Sequence, residues 1–285
     1  MRVKELGRSA VAAPILTTGP DGPWLRVRES VAFSGHAVVY TDWRGWLSAV
    51  STGPTLRALL GPRDWQRYNA LVKPEVRCRF AVSRMLVGYA AGAALEVPPE
   101  AVELAYKPGG RPYLRGCDQL DVSLSHTLDL VVVGINRRGR IGVDTELGRR
   151  RLRYSEVHRQ MCTAAERAVL AGLSASEQEK ELLRLWTLKE AYTKALGQGM
   201  RLGFTQFGFD EDGQGPLTPD GAPASFGEWS FGTFGFALED RYVVSVACQD
   251  AGHGGAPETA VGTMLDEGFF GQVVDLLNRS AGHRR

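Results

Sequence analysis

The chain has 285 residues, 44% hydrophobic and 23% charged, with a formal net charge of +2. That length can bury a sizeable core as one large domain or two smaller ones, and the composition is ordinary for a soluble globular protein. The net charge is too small to argue for nucleic acid as a partner by itself, no apolar run reaches bilayer length, and four scattered cysteines without a C-x-x-C pair (Cys78, Cys117, Cys162, Cys248) argue against a disulfide framework or zinc site and fit a reducing cytoplasm. The first residues carry no secretory h-region, because Arg2, Lys4 and Arg8 lead only into the short Ala10–Leu16 patch.

Residues 1–30 are punctuated by Gly and Pro and predict a loosely ordered arm. Val31–Tyr40 predicts a strand, rich in β-branched residues around His36. Leu56–Leu60 and Trp65–Val72 predict short helical pieces. Arg77–Ala94 predicts a stronger helix, with an apolar surface from Phe80, Val82, Leu86 and Val87. Arg77 and Arg84 lie two turns apart on it and share a face, either a solvated basic edge or a phosphate clamp. Lys107–Pro112 is a Pro/Gly turn that offers two cations where backbone can approach an anion. Val122–Leu124 reads as a strand running into Ser125-His126-Thr127, followed by a buried strand over Leu128–Ile135. Asn136–Arg140 reads as a polar hairpin turn, with Ile141–Glu146 as the returning strand. Alternation places Asp144 and Glu146 on one face of that strand. Folding it back brings Ser125-His126-Thr127 to the end that holds Glu146.

Arg149, Arg150, Arg151 and Arg153 follow at once, a charge run that is either a solvated loop or a docking surface. Thr163–Glu166 and Ser174–Glu177 are capping boxes, each opening a helix. The second helix has apolar residues at 182, 185, 188, 192, 195 and 196 and a natural stop at Gly197. Trp186, Glu190 and Lys194 share its other face. Alone, Glu190 and Lys194 would be an i,i+4 surface pair worth a few tenths of a kcal/mol, on the order of 0.3. A β-rich tail follows at Phe204–Phe209, Trp229–Phe236 and Tyr242–Cys248, with a turn at Glu239-Asp240 joining the last two. Gln249–Pro257 reads as a linker and Thr263–Leu277 as a short helix.

Asp144 and Glu146 from a strand, with Glu190 from a helix, make a hard-metal site if they converge. Three facing carboxylates repel unless a cation neutralises them, and Mg²⁺ takes oxygen ligands in company with phosphates. Lys189, Lys194, Arg111, His126 and the Arg77/Arg84 helix would surround it. Such a setting suits phosphoryl transfer, which depends mainly on positioning and charge neutralisation.

These motifs resemble the 4′-phosphopantetheinyl transferases of the surfactin-synthetase-activating type, in order and spacing from about Val31 to Cys248. The residues that carry the resemblance are Gly142-Val143-Asp144-Thr145-Glu146, Trp186-Thr187-Leu188-Lys189-Glu190-Ala191-Tyr192-Thr193-Lys194 and Ser125-His126. The resemblance implies an α+β fold, a pseudo-dimer of two similar halves with the active site between them. Its parts would be an arm over 1–30, a first half over 31–139, a second half with the metal site over 140–250, and a tail over 251–285. It implies Mg²⁺-dependent transfer of 4′-phosphopantetheine from coenzyme A to a serine of an apo-carrier protein, releasing 3′,5′-ADP. Mn²⁺ is the alternative ion.

By the same resemblance, Asp144, Glu146 and Glu190 hold the metal, Glu190 serves as general base, and Lys194 holds the diphosphate. Ser125, His126, Arg111, Lys189, Arg77 and Arg84 bind the coenzyme. An acidic acyl or peptidyl carrier is the expected partner, met by Arg149–Arg153, and the enzyme is expected to be a cytoplasmic monomer. Two positions depart from the family's pattern. Gly110-Arg111-Pro112 has an arginine where a lysine is usual, a planar fork in place of a point charge. Met161-Cys162 stands where an aromatic run is usual.

Two rival readings remain. A metal-dependent nuclease or phosphodiesterase could use an Asp, a Glu and a Lys around one ion, but the chain lacks a basic-aromatic stripe for a nucleic-acid strand; metal-dependent nicking of plasmid DNA would reveal it. A non-catalytic binder of coenzyme A or carrier would not need a base beside the metal.

Overall fold

The computed structural model describes residues 2–5, 11–50, 53–209, 215–225, 227–237 and 242–251. The expected turn at Glu239-Asp240, the Thr263–Leu277 helix and most of the Gln249–Pro257 linker lie outside the described residues.

In chain order the elements are β1 (Arg2–Glu5), β2 (Ile15–Leu16), α1 (Trp24–Ser34), β3 (His36–Asp42), α2 (Leu47–Val50), α3 (Gly53–Ala70) and α4 (Pro74–Leu95). Then come β4 (Leu104–Tyr106), β5 (Pro112–Leu114), β6 (Asp121–Thr127), β7 (Leu130–Asn136) and β8 (Ile141–Leu147). The remainder is α5 (Tyr154–Met161), α6 (Ala164–Ala171), α7 (Ala175–Leu196), β9 (Gly208–Phe209), β10 (Pro216–Leu217), β11 (Trp229–Ala237) and β12 (Tyr242–Gln249). The class is mixed α+β, as the sequence implies.

Two four-stranded sheets organise these elements, in the orders β2-β3-β7-β6 and β1-β11-β12-β8. Among the described residues only β2 and β3 pair in parallel in them; the other pairings are antiparallel. The sheets lie face to face. Val38, Tyr40, Leu130 and Val132 from one interdigitate with Ile141, Val143, Phe234 and Val244 from the other. The intervening residues of the first sheet, Ala37, Val39, Val131 and Val133, pack outward on α1 and α4. On the far side, α7 rests on the second sheet through Ala191 and Ala195, which lie against Gly142, and through Thr187, whose hydroxyl meets that of Ser245 (2.8 Å); Leu182, Leu185 and Leu188 belong to the core on that side. Strands β3 and β7 are therefore apolar on both faces, and they read as continuous hydrophobic runs.

Three expectations change. Trp24–Ser34 is a helix where the sequence predicted a loose arm, and the following strand starts at His36. Pro23 and the left-handed Gly35 bracket that helix, but it buries only Val27 and Val31, a face too narrow to show in the apolar pattern. The two pieces predicted at Leu56–Leu60 and Trp65–Val72 are two helical segments, as expected, but with other bounds: together they span Gly53–Ala70 and meet at Gly61 (φ 68°, ψ 172°) before Pro62. Finally, Asn136–Arg140 is no hairpin turn. β7 pairs with β3 and β6, while β8 pairs with β12, so this segment carries the chain from one sheet to the other.

That crossover places β6 and β8, the edge strands of the two sheets, side by side. Their contact is not a backbone ladder. Asp121, Ser123, Ser125 and Thr127 alternate along β6 toward β8. Asp121 accepts from Ile141 N (2.8 Å), Ser123 Oγ from Val143 N (3.0 Å), and Thr127 Oγ1 donates to Thr145 O (2.6 Å). Side chains thus satisfy edge groups that would otherwise stay exposed.

Candidate active site

The three acidic positions come from two elements whose backbones touch. A Cβ on Gly142 would lie 1.8 Å from Ala191 O and 2.6 Å from Ala195 N, so α7 rests directly on β8. This close approach explains the glycine that opens the Gly142–Glu146 motif: any side chain there lifts α7, and with it Glu190 and Lys194. Gly142→Ala is expected to cost about 3 kcal/mol, the upper range of overpacking, or about 6–12 °C in Tm. Scanning calorimetry checks this, and an unchanged Tm would show that α7 can move away freely.

Gly142, Asp144 and Glu146 alternate on the face of β8 toward α7. Lys194 Nζ reaches Asp144 Oδ1 at 2.6 Å, Ser125 Oγ at 3.1 Å and Val143 O at 3.2 Å. Ser125 Oγ donates to the same Asp144 oxygen at 3.1 Å. The other carboxylate oxygen, Asp144 Oδ2, is buried without a hydrogen-bond partner. Glu146 is paired with Arg150, whose guanidinium lies 5.2 Å from the centre of the Trp186 ring. Trp186 also hydrogen-bonds Glu146.

The Glu190 carboxyl is pushed above its ordinary range, first by burial and then by the charges of Asp144 and Glu146, with Lys194 opposing. Glu146 is raised by burial, against the pull of Arg150. Three carboxylates therefore share one field, as the sequence implied. The donor chemistry and the orphaned Asp144 oxygen suit a hard divalent cation. The cluster is not drawn together as a ligand set, however. Among the described residues no three His, Cys, Asp or Glu side chains converge closely enough to hold an ion. Lys194 and Arg150 supply the neutralising charge instead.

Ser125 and His126 are neighbours in sequence but point to opposite faces of β6. Ser125 joins the carboxylates; His126 turns toward α4. Its pKa is lowered from 6.5, first by desolvation of its ring and then by the charges of Arg79 and Arg84, with a smaller push from Lys194. Arg79 Nη1 donates to Leu128 O (3.1 Å), pinning a β6–β7 turn in which Leu128 takes φ 48°. Arg84 packs over Phe80, and Arg77 over Tyr68.

Two expected site residues lie elsewhere. Arg111 is held by Asp121 (2.5 Å), Ala195 O (2.9 Å) and Ile141 O (3.3 Å). It clasps the start of β6 to β8 and the end of α7, about 17 Å of strand rise from His126, so it is not placed with Ser125 and His126. Lys189 is fully buried on a different face of α7, roughly 100° of turn from Glu190. Its ammonium donates to Glu166 (2.7 Å) and to the carbonyls of Met161, Phe204 and Phe207. Every donor is used, which leaves nothing for a ligand. In the basic run, Arg150, Arg151 and Arg153 pair with Glu146, Glu179 and Glu156. Among the described residues no helix is long and apolar enough to cross a membrane.

Comparison with known proteins bears on this segment. A sequence profile of the 4′-phosphopantetheinyl transferase superfamily matches residues 140–247. The 4′-phosphopantetheinyl transferase HetI of Nostoc sp. is 32% identical over 148 residues, 51% of this chain and 62% of the relative. A 4′-phosphopantetheinyl transferase of Bacillus subtilis is 23% identical over 151 residues, 52% of this chain and 66% of the relative. A phosphopantetheinyl transferase of Thraustochytrium sp. is 29% identical over 222 residues, 72% of this chain and 75% of the relative. The chain thus spans a little under two thirds of the first two relatives' length. What it resembles, through the stretch that holds Asp144, Glu146, Glu190 and Lys194, is the 4′-phosphopantetheinyl transferase superfamily.

Proposed function

We propose that this protein transfers 4′-phosphopantetheine from coenzyme A to a serine of an apo-carrier protein, releasing 3′,5′-ADP, and that it is of the surfactin-synthetase-activating type. The observation that carries the reading is the meeting of Lys194, Asp144 and Ser125 from three elements beside Glu190. The two sheets with their covering helices would be the two halves of a pseudo-dimer, and the β6–β8 seam the cleft between them. The protein would act as a cytoplasmic monomer.

The carrier serine Oγ attacks the phosphorus that bears the pantetheine arm. The bond from that phosphorus to the bridging oxygen breaks, and the oxygen leaves with 3′,5′-ADP. The Glu190 carboxylate takes the serine proton, directly or through water, a role that its raised pKa favours. Lys194, already at the seam, offers its charge to the diphosphate as negative charge grows on the leaving oxygen. Asp144, Glu146 and Glu190 would hold Mg²⁺ (or Mn²⁺), whose chemistry there is neutralisation of the diphosphate. For Glu146 to serve there, Arg150 would have to release it, and would then be able to meet an acidic carrier beside Arg149, Arg151 and Arg153. His126 and Arg84, with Arg77 beyond them, would take the coenzyme's further phosphate. Lys189 and Arg111 have structural tasks and are left out of the mechanism.

The deciding experiment incubates the protein with apo-carrier, coenzyme A and MgCl₂, then weighs the carrier. A gain of one phosphopantetheine, lost with chelator, is expected. No gain with fatty-acid, polyketide and peptide carriers alike would overturn the reading in favour of a binder. A pH test addresses His126. Its pKa is lowered from 6.5, so in the free protein the ring is neutral at neutral pH. A phosphate beside it favours the charged form. Coenzyme affinity should therefore rise as pH falls from 7.5 toward 6, with proton uptake on binding; calorimetry in two buffers of different ionisation heat measures this, and His126→Ala should flatten the dependence.

A further inference from the structure

Away from the carboxylates, a second polar cluster is built into the first sheet's helical layer. Asp64 is 3% exposed. The Tyr106 hydroxyl donates to Asp64 Oδ2 at 2.8 Å and accepts from Arg84 Nε at 3.1 Å, and that nitrogen lies 3.5 Å from the same carboxylate oxygen. Arg84 Nη1 also donates to Ser83 Oγ at 2.7 Å. The guanidinium stands 4.0 Å from the centre of the Phe80 ring, and Tyr106 has Arg63 at 5.0 Å on its own ring. Burial pushes the Tyr106 hydroxyl up to about 12, so it stays protonated and keeps bridging.

The break in α3 explains how Asp64 comes to be there. Gly61 and Pro62 end one helical segment and start another. Asp64 sits in the first turn of the new segment, where a carboxylate is favoured by the helix dipole. A straight helix would aim this position elsewhere.

Arg84 is not a free basic residue on a solvated edge. Three groups fix Nε and Nη1, and among the described residues nothing is bonded to Nη2. Its charge falls on His126, as do those of Arg79 and Lys194. A long arginine fixed in this way loses little rotamer freedom when an anion binds, which is where the affinity of such a contact is usually lost.

We infer that Asp64 is a positioning residue. Through Tyr106 it holds Arg84 beside His126, so that the unbonded guanidinium edge is set in advance for an anionic group of the nucleotide substrate. This rests on the reading of coenzyme A as substrate.

The test is a double-mutant cycle. Asp64→Ala and Tyr106→Phe are each expected to raise KM for coenzyme A about tenfold while kcat stays within about twofold. That fold-change corresponds to about 1.4 kcal/mol. Arg84→Ala should raise KM at least as much, and Asp64→Ala combined with Arg84→Ala should be no worse than Arg84→Ala alone. Calorimetric binding of coenzyme A to each folded variant repeats the comparison without turnover. Additive losses, or a Tyr106→Phe variant that binds like the wild type, would overturn the inference alone. A wild-type protein that fails to bind coenzyme A would overturn the proposed function as well. Tyr106→Phe removes one oxygen and keeps the ring, so it decides the matter even if Asp64→Ala does not fold.

Discussion

Glu190→Gln should reduce phosphopantetheine transfer by about 10²–10⁴-fold, the usual contribution of a positioned base, while coenzyme A still binds. The same change should raise thermal stability. In the fold the Glu190 carboxyl titrates above its ordinary 4.5, because burial and the charges of Asp144 and Glu146 oppose its ionisation. Above that raised pKa the ionised side chain therefore costs folding free energy that a neutral amide does not. Below 4.5 both states are protonated and the cost vanishes. Melting curves should show the Gln variant above the wild type at pH 8 and level with it at pH 4. Adding MgCl₂ should close the gap at pH 8 by stabilising only the wild type. A variant that transfers at the wild-type rate would remove Glu190 from the mechanism; one that melts lower at pH 8 would show that its carboxylate has a favourable partner.

Lys189→Met should produce the largest loss of stability. The ammonium is fully buried and its pKa is lowered by that burial, with the Glu166 charge pulling the other way. Removing it strands Glu166, 5% exposed, and frees three carbonyls. Breaking a buried pair from one side costs about 3–5 kcal/mol, or about 6–20 °C in Tm. The Lys189→Met, Glu166→Gln double variant should recover part of this, because Gln removes the stranded charge while its oxygen can still accept from Thr163 N or Phe209 N. A single variant within about 2 °C of the wild type would mean that the ammonium reaches solvent and is available to a ligand after all.

These two residues, adjacent in one motif, show where sequence reasoning succeeds and where it stops. The helical period of α7 gave its buried stripe and grouped Trp186, Glu190 and Lys194 correctly. Lys189 lies one residue, roughly 100° of turn, from Glu190, and a motif string does not say which cations turn inward. The capping boxes at Thr163 and Ser174 and the stop at Gly197 were legible because they depend on a few neighbouring residues. The path from β7 to β8 was not, because a polar turn looks the same whether the strands it joins pair or part. Arg111 could be seen as a cation in a turn, but its partners Asp121 and Ala195 are fixed by the tertiary fold. Asp64, Arg84 and Tyr106 come from three separate elements, and nothing local links them.

The seam between β6 and β8 has a consequence of its own. Strands joined by main-chain pairing are held at one spacing and must shift as a unit. Here four short polar side chains on β6, with Arg111 and Lys194, set the spacing, so the seam can be widened or narrowed by trading a single hydroxyl, leaving both ladders whole. Tolerance for differently shaped acceptors could be adjusted at Ser123, Ser125 and Thr127 without rebuilding either layer.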